Sequence, residues 1–452
     1  MNDNRDTLDF WEMDVKSLYF KILIPTLLGM IATVVVTITD GVFVGQYCGS
    51  DALAAVNISV PLFLLATGFA LMFGGGCSIV ASIYLARGNV KAANINITQT
   101  VIVSLLLFVI FSTLILVNLE FTAKILGSSN TLLPFVATYI KILAPTLPFF
   151  MLMNLGVFLI RLDGSPNYAM ICAVIPAVTN IIGDFVLVGM LDWGLKGAVW
   201  ATSASYILGG LMALLYFIKY SNQVRLYKLK NSTTSLRLTV RNLKEICVLG
   251  SPGLLGELAI SLMFYLANIT IFKFLGDDGI AAFAVAAYCF PIIYMINNAV
   301  AQSAQPIISY NIRQSPHRSI LVKYLSVKMS AIIALFLTVA TMLFSEELTS
   351  LFLKPNTAAF DIASESLPLF ALGYVFFALN IVYIGYFQSI EKGSLAFILT
   401  IVRGYILPII AFLIAPIYLK DAGVWLAYAF SELITLVIIL IVIRTVDLPT
   451  KK

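Results

Sequence analysis

Long apolar runs separated by short polar stretches follow one another along almost the whole chain. A membrane-spanning helix needs about 20 mostly apolar residues, and by that criterion the pattern predicts twelve spanning helices. No polar stretch between them is long enough to form a soluble domain, so we predict an all-α polytopic membrane protein. The predicted ranges are roughly 18–46, 52–80, 93–117, 131–160, 166–190, 196–218, 246–273, 280–310, 320–344, 360–388, 394–416 and 422–443.

The composition agrees with a bilayer protein and excludes several other classes. Hydrophobic residues make up 60% of the chain and charged residues 11%, against about 45–50% and about 25% in ordinary globular domains. The balance of 28 Lys and Arg against 23 Asp and Glu is too mild to indicate a nucleic-acid partner. The polar, acidic start of the chain lacks the basic region of a cleaved signal peptide.

The distribution of Lys and Arg orients the predicted helices. If the N-terminus is cytoplasmic, most of the basic residues fall on the cytoplasmic side, as the positive-inside rule requires. We therefore predict a multi-pass protein of the cell inner (plasma) membrane with both termini in the cytoplasm. One polar stretch, 219–245, contributes Lys219, Arg225, Lys228, Lys230, Arg237, Arg241 and Lys244 to that side.

Two predicted turns repeat at a fixed distance along the chain. The segment Gly49–Val56 resembles Gly276–Phe283, an offset of about 227 residues that also carries Pro25 onto Pro252. Duplicated six-helix halves are typical of transporters, whose substrate sites lie between the repeats. We predict two pseudo-symmetric six-helix bundles and a basic cytoplasmic linker, with the boundaries 1–218, 219–245 and 246–452.

Two acidic residues are expected to lie at the same depth in the first half. Asp40 and Asp184 each precede the outer end of their helix by about six residues, and Thr202 lies about six residues into the next. All three would lie roughly 9 Å below the outer surface, with Asn180 one turn from Asp184. Two such carboxylates cannot both ionise easily, so they could take up a proton or bind a cation such as Na⁺. The alternative is that both aspartates are structural.

The second half carries a different set of ionisable residues. The offset places apolar residues at the positions equivalent to the two aspartates, so that cluster is not duplicated. Glu257, Arg403 and Glu432 are instead expected near mid-membrane, where charge is costly. We predict that Arg403 and Glu432 form a buried ion pair, with Arg403 as the one buried base. Glu257 would then be an unpaired acid able to attract a cationic substrate.

No motif indicates an enzyme. The HExxH, GxSxG and P-loop patterns are absent, and the one histidine, His317, lies in a hydrophilic stretch beside two arginines. A membrane-embedded transferase would need catalytic acids or metal ligands on a substantial hydrophilic loop, and the chain has none. We predict no cofactor.

Five short motifs in order, spread over the twelve predicted helices, resemble the multidrug and toxic compound extrusion (MATE) family. Together they are far more specific than any one alone, and they extend over essentially the whole chain. They are Thr39–Gly45 (TDGVFVG) followed by Gly49 and Asp51–Ala55 (DALAA), then Asn180–Asp184 (NIIGD), Gly197–Thr202 (GAVWAT), Gly250–Pro252 (GSP) and Gln305–Asn311 (QPIISYN).

The resemblance implies a secondary antiporter that exports amphipathic organic cations in exchange for H⁺ or Na⁺ by rocker-type alternating access. It associates Pro25 with bending of the first helix, and Glu257 is similar in position to an essential acid that some members carry in helix seven. The acid that such members carry in helix ten is absent here, which favours the first-half site. The family's cation site maps onto Asp40, Asn180, Asp184 and Thr202.

The partners expected from this interpretation are small organic cations and the lipid bilayer, with no nucleic acid and no obligatory protein partner. We expect a monomer. A lipid-linked oligosaccharide flippase of similar architecture is the alternative within transport. It should have a strongly basic central cavity for pyrophosphate, whereas Arg403 is the one buried base that the sequence indicates.

Overall fold

Helices account for nearly all of the chain in the computed structural model, which describes residues 8–229 and 233–446. Within these ranges there is no β-strand. The α-helices are α1 Val15–Phe43, α2 Ser50–Ala86, α3 Val90–Val117, α4 Leu119–Ile125, α5 Leu133–Leu143, α6 Leu147–Leu162, α7 Pro166–Asp184, α8 Gly194–Leu215, α9 Thr233–Asn311, α10 Pro316–Leu343, α11 Ser345–Ser350, α12 Ala358–Ala371, α13 Gly373–Ser389, α14 Gly393–Ile401 and α15 Leu407–Val446.

The helices long and apolar enough to cross a bilayer match the predicted spans. The described residues contain 10 such stretches, and two of them are much longer than a bilayer requires. Each of those two contains a residue with non-helical backbone angles, Gly276 in α9 (φ 64°, ψ −154°) and Lys420 in α15 (φ 49°, ψ −128°). Both breaks fall where the hydrophobic pattern predicted a turn. Divided there, the stretches give twelve spans, and the predicted all-α polytopic fold is confirmed.

The duplicated turn is also visible in the backbone. Gly49, which precedes α2, has φ 85° and ψ 174°, and Gly276 adopts a similar conformation 227 residues later. This combination of positive φ and extended ψ is essentially restricted to glycine. The two turns that resemble each other in sequence therefore share the backbone geometry that makes glycine necessary.

Several spans end or continue in π-helical segments that the hydrophobic pattern did not predict. The segment Val44–Cys48 follows α1, Phe185–Met190 follows α7, and Tyr216–Tyr220 follows α8. A fourth, Val402–Ile406, joins α14 to α15. Such segments are rare and frequently occur at functional sites.

The chain forms two compact units. The first contains the described residues up to Leu254 together with Ser309–Arg318; the second contains Leu255–Ile308 and the residues from Ser319 onward. In the first, α1 packs along α7, α7 packs on α8, and α6 contacts α2 and α8. In the second, α15 packs on α12 and α13. The linker segment that is described thus belongs to the first unit, while the boundaries 1–218, 219–245 and 246–452 stay a prediction about the sequence repeats.

Within the first unit, α2 lies very close to the early part of α9. A Cβ atom added to Gly76 would overlap the carbonyl group of Ile246, and one added to Gly250 would overlap the carbonyl group of Met72. The two helices approach to backbone contact at these positions. Gly250, in the motif GSP, is therefore required by packing.

The segment Ser309–Arg318 returns to the first unit and holds its N-terminal residues. The Arg318 guanidinium donates hydrogen bonds to the carbonyl oxygens of Met13 (2.7 Å) and Phe10 (3.2 Å). Its Nε also donates to Asn311 Oδ1 at 3.1 Å, and Asn311 in turn donates to Phe10. The chain before α1 is thus fixed by residues from the second sequence repeat.

Candidate functional site

Helix packing in the first unit brings the predicted site residues to one place. Asp40 lies in the last turn of α1 and Asp184 is the last residue of α7, so a π-helical segment begins close after each. A Cβ atom on Gly183 would lie 2.7 Å from the Cβ of Ala201, which shows how closely α7 and α8 approach beside Asp184. The small residues Gly183 and Ala201 therefore allow α7 and α8 to lie close together beside Asp184.

The four predicted residues form two neighbouring pairs. The Asp40 and Asp184 carboxyl groups lie close enough to interact electrostatically with each other. Asn180, one helical turn before Asp184, donates from Nδ2 to Thr202 Oγ1 at 3.2 Å. Thr202 donates to its own helix, at the carbonyl oxygen of Ala198. The arrangement places carboxylate, amide and hydroxyl oxygens close together, and their role stays a prediction.

Four oxygen atoms of this cluster are buried without a hydrogen-bond donor from any described residue. They are Oδ1 of Asp40, both carboxylate oxygens of Asp184, and Oδ1 of Asn180. Asp184 has no exposed surface and Asn180 is 1% exposed. Ionised carboxylates buried in this way are strongly unfavourable unless a cation or a proton neutralises them. The site therefore has the chemistry to bind a small cation or to share a proton.

Two tyrosines that the sequence did not indicate lie near the aspartates. Tyr139 of α5 and Tyr206 of α8 both lie within electrostatic range of Asp40. Tyr139 is 2% exposed and contacts Phe63 edge to face, with 6.3 Å between ring centroids. Tyrosine is common throughout this chain, so residue type alone gives no signal; helix packing is needed to find it.

A second polar cluster lies in the second unit. Arg403 Nε lies 3.0 Å from each carboxylate oxygen of Glu432, and Asn380 Nδ2 donates to Glu432 Oε2 at 2.7 Å. The guanidinium also stands over the Phe377 ring, 4.6 Å from its centroid. The geometry is that of the predicted ion pair, with an additional amide donor that the sequence did not indicate.

Glu257 is buried beside this pair and is held by a tyrosine. It is 5% exposed, and the Tyr294 hydroxyl donates to its Oε1 at 2.9 Å. Tyr294 also interacts with Asn298 and lies within electrostatic range of Arg403. Glu257 is thus linked through Tyr294 to the neighbourhood of the Arg403–Glu432 pair.

The expectation that Arg403 is the one buried base is wrong. Arg161 is 2% exposed and Lys323 is 4% exposed. Both lie near helix ends: Arg161 stands over the Phe158 ring at 4.8 Å, and Lys323 lies 5.0 Å from the Tyr386 ring centroid. Both are buried and pack against aromatic rings, and the depth of a residue along its helix does not reveal this.

Pro25, the predicted hinge, lies inside α1 and is buried. Because proline has no N–H group, it leaves the carbonyl oxygen of Lys21 without its usual intrahelical donor. The next residue, Thr26, donates its hydroxyl to the Ile22 carbonyl oxygen at 2.7 Å. The helix continues through this weakened turn, and a hinge role stays a prediction.

The described residues contain no group of three or more His, Cys, Asp or Glu side chains that could hold a metal ion. The oxygen donors of the first-unit cluster suit an alkali cation better than a transition metal, because they include no imidazole or thiolate.

An all-α chain with two repeats of six spans and an acidic cluster buried in its first half belongs to the class of polytopic membrane transporters. The family model MatE matches this chain twice, at residues 25–186 and at residues 252–413. The chain therefore belongs to the MatE family of transporters, and the two matches lie 227 residues apart, as the duplicated turns do. The suspected family is confirmed.

Curated relatives and solved structures agree with the family assignment. The multidrug export protein MepA of Staphylococcus saprophyticus is 23% identical over 405 residues, with 89% of this chain and 88% of MepA covered. A multidrug resistance MATE transporter of the MOP superfamily, solved in an outward-facing conformation, is 21% identical, with a TM-score of 0.87 and 98% of each chain covered. A MOP superfamily transporter from Pyrococcus furiosus, described as having a binding pocket of reverse polarity, has a TM-score of 0.86 at 21% identity, with 96% of each chain covered.

Proposed function

We propose that this chain is a secondary active antiporter that exports amphipathic, cationic organic compounds in exchange for H⁺ or Na⁺. The observation that carries the proposal is the proximity of Asp40 to Asp184, together with their buried oxygens that lack donors among the described residues. Membership of a transporter family and similarity to MepA, a multidrug export protein, support the export of drug-like compounds.

The coupling ion would act at the first-unit cluster. A proton can be shared between the two carboxyl groups, or Na⁺ can be held by their oxygens together with Asn180 Oδ1 and Thr202 Oγ1. Occupation of the site can drive transport only if the ion binds the inward-open and outward-open states with different affinity. The π-helical segments that follow α1 and α7 could change the ion affinity between the two states, because their backbone hydrogen bonds can rearrange at these helix ends.

The second half would serve the substrate. Glu257 would attract the cationic part of the compound, while Arg403 and Glu432 neutralise each other. This pairing removes Arg403 as a free cation for the pyrophosphate of the flippase alternative, because its charge is matched by a carboxylate with two contacts of 3.0 Å. Pro25 would permit α1 to bend during the alternation between states. Both termini and the basic linker would face the cytoplasm, and the protein would act as a monomer in the inner membrane.

The test is dye efflux from proteoliposomes under an imposed pH gradient or an imposed Na⁺ gradient. Wild-type protein should respond to one gradient, and Asp40→Asn and Asp184→Asn should abolish that response. Asp192→Asn is the matched control, because Asp192 is exposed and its positive φ of 53° is tolerated by asparagine. Undiminished gradient-driven efflux in both site variants would sink the coupling role, and no efflux under either gradient in the wild type would sink the antiporter.

A further inference from the structure

The basic linker is held against the first unit by a buried carboxylate. Asp163, which follows α6 and is 7% exposed, accepts hydrogen bonds on Oδ1 from the backbone N–H groups of Gln223 and Val224, both at 2.8 Å. Its Oδ2 accepts from the Asn222 N–H and the Tyr216 hydroxyl, both at 2.7 Å. Three consecutive backbone amides are therefore fixed on one side chain.

Polar side chains in the first turns of α3 continue this attachment. Asn94 donates to the carbonyl oxygen of Gln223 and accepts from the N–H of Arg225, both at 2.8 Å. Thr98 Oγ1 accepts from the N–H of Tyr227 at 2.9 Å. The backbone from residue 222 to residue 227 is thus bonded along one side, so its path is set by α3 and α6.

The start of α9 is attached to the same helix. Gln99 Nε2 donates to Thr239 Oγ1 at 2.8 Å, and Gln99 Oε1 accepts from Asn242 Nδ2 at 2.9 Å. Asn94, Thr98 and Gln99 are all less than 5% exposed. One buried row on α3 therefore holds both parts of the linker that the structure describes.

The outward side of these attached segments combines basic and apolar side chains. We call this surface the linker strip. The exposed apolar members include Tyr227 (41%), Leu238 (41%) and Val240 (65%), and Glu245 is the one acid in the sequence 219–245. The strip consists of the exposed residues Lys219, Tyr220, Arg225, Leu226, Tyr227, Lys228, Arg237, Leu238, Val240, Arg241 and Lys244.

We propose that the linker strip binds the headgroups of anionic phospholipids at the membrane surface. Basic side chains beside a spanning segment are attracted to anionic lipid, and exposed tyrosine and aliphatic side chains suit the boundary between headgroups and acyl chains. The strip begins at the end of the stretch Gly194–Tyr220, which is long and apolar enough to cross a membrane. Basic residues in a cytoplasmic loop are enough to orient the chain in the membrane, and that role does not require the loop backbone to be fixed. Here the backbone is fixed by its hydrogen bonds to Asp163 and to α3. The strip therefore has the defined surface that a binding site needs.

The experiment compares lipid binding by the full chain and by charge variants. Purified protein in neutral detergent is titrated with short-chain phosphatidylglycerol or phosphatidylcholine, and binding is followed by native mass spectrometry. The strip variant is Arg225→Gln/Lys228→Gln/Arg241→Gln. Its matched control is Lys124→Gln/Lys141→Gln/Lys354→Gln, which removes the same charge from other exposed lysines.

The wild type and the control variant should bind phosphatidylglycerol in preference to phosphatidylcholine. The strip variant should lose about tenfold or more in apparent affinity for phosphatidylglycerol. Raised salt concentration should also lower the affinity of the wild type for phosphatidylglycerol, because salt screens the attraction between the basic side chains and the headgroup. Asp163→Asn weakens the attachment of the strip but keeps all of its basic residues. Its loss of affinity for phosphatidylglycerol should therefore be smaller than that of the strip variant. Equal affinity of the strip variant and the wild type, or equal binding of both lipids by the wild type, would overturn the proposal.

Discussion

The hydroxyl group of Ser82 donates a hydrogen bond to the hydroxyl group of Ser309 at 2.6 Å, and the two residues are 227 positions apart. The same separation relates the two matches of the MatE family model. The paired serines are therefore the same position in the two sequence repeats, and both belong to the first compact unit.

Because the two hydroxyl groups contact each other, their substitutions should not be additive. Ser82→Ala and Ser309→Ala each leave a buried hydroxyl without one partner, at a cost of about 1 kcal/mol. The double variant should cost less than the sum of the two by about 0.5–1 kcal/mol. Thermal unfolding of the purified variants measures the coupling, and strict additivity would show that the contact contributes nothing.

The ion that occupies the Asp40–Asp184 site should stabilise the folded protein. A ligand that binds the native state raises the unfolding temperature in proportion to the logarithm of its concentration. Raising Na⁺, or lowering the pH, should therefore increase Tm in the wild type, according to which ion binds. Asp40→Asn and Asp184→Asn should abolish the increase, while Asp192→Asn retains it; an increase that survives in both site variants would place the ion elsewhere.

Removal of one member of the Arg403–Glu432 pair should be more harmful than removal of both. Glu432→Gln leaves the guanidinium without its carboxylate, and breaking a buried pair in this way costs about 3–5 kcal/mol. Arg403→Met/Glu432→Met removes both charges and should recover much of that loss. Yield and Tm in detergent provide the comparison, and a double variant less stable than either single one would refute the reasoning.

The close approach of α2 and α9 should make Gly250 intolerant of any side chain. Gly250→Ala would place a methyl group against the carbonyl oxygen of Met72, and the resulting overpacking should cost about 1–3 kcal/mol. Gly41→Ala is the control, because a Cβ there meets nothing within 4 Å; it should be neutral or slightly stabilising. Thermal unfolding of the two variants, side by side, separates local packing from helix propensity.

The fold could be predicted from the sequence because burial in lipid imposes a simple length rule. Twenty apolar residues make one span, and the turns at Gly276 and Lys420 lie where polar residues interrupt the runs. The π-helical segments could not be predicted, since a uniformly apolar stretch carries no signal that separates one helical repeat from another. Nor could the burial of Arg161, since position along a helix does not tell which of its faces neighbouring helices cover.

Part of the candidate site could also be predicted from the sequence, because of the cost of placing charge within a spanning helix. An acid within an apolar span is costly, so Asp40 and Asp184 are conspicuous, and equal depth on adjacent helices predicts their proximity. Tyr139 is not conspicuous, because tyrosine is common in such spans. Asp163 lies at the end of a span, where an acid needs no explanation, and its role in holding the linker requires the folded chain.

The linker belongs to the first compact unit, so the chain connects the two units elsewhere. The chain passes from one unit to the other at Leu254–Leu255, at Ile308–Ser309 and at Arg318–Ser319, and all three positions lie within helices rather than in the linker. Each crossing comes two residues after a proline: Pro252 and Pro306 inside α9, and Pro316 at the start of α10. A proline inside a helix removes one backbone hydrogen bond, so the hydrogen bonding of α9 is weakened beside two of the three crossings. The three connections between the units are therefore made of helical backbone, and none of them is made by the described part of the linker.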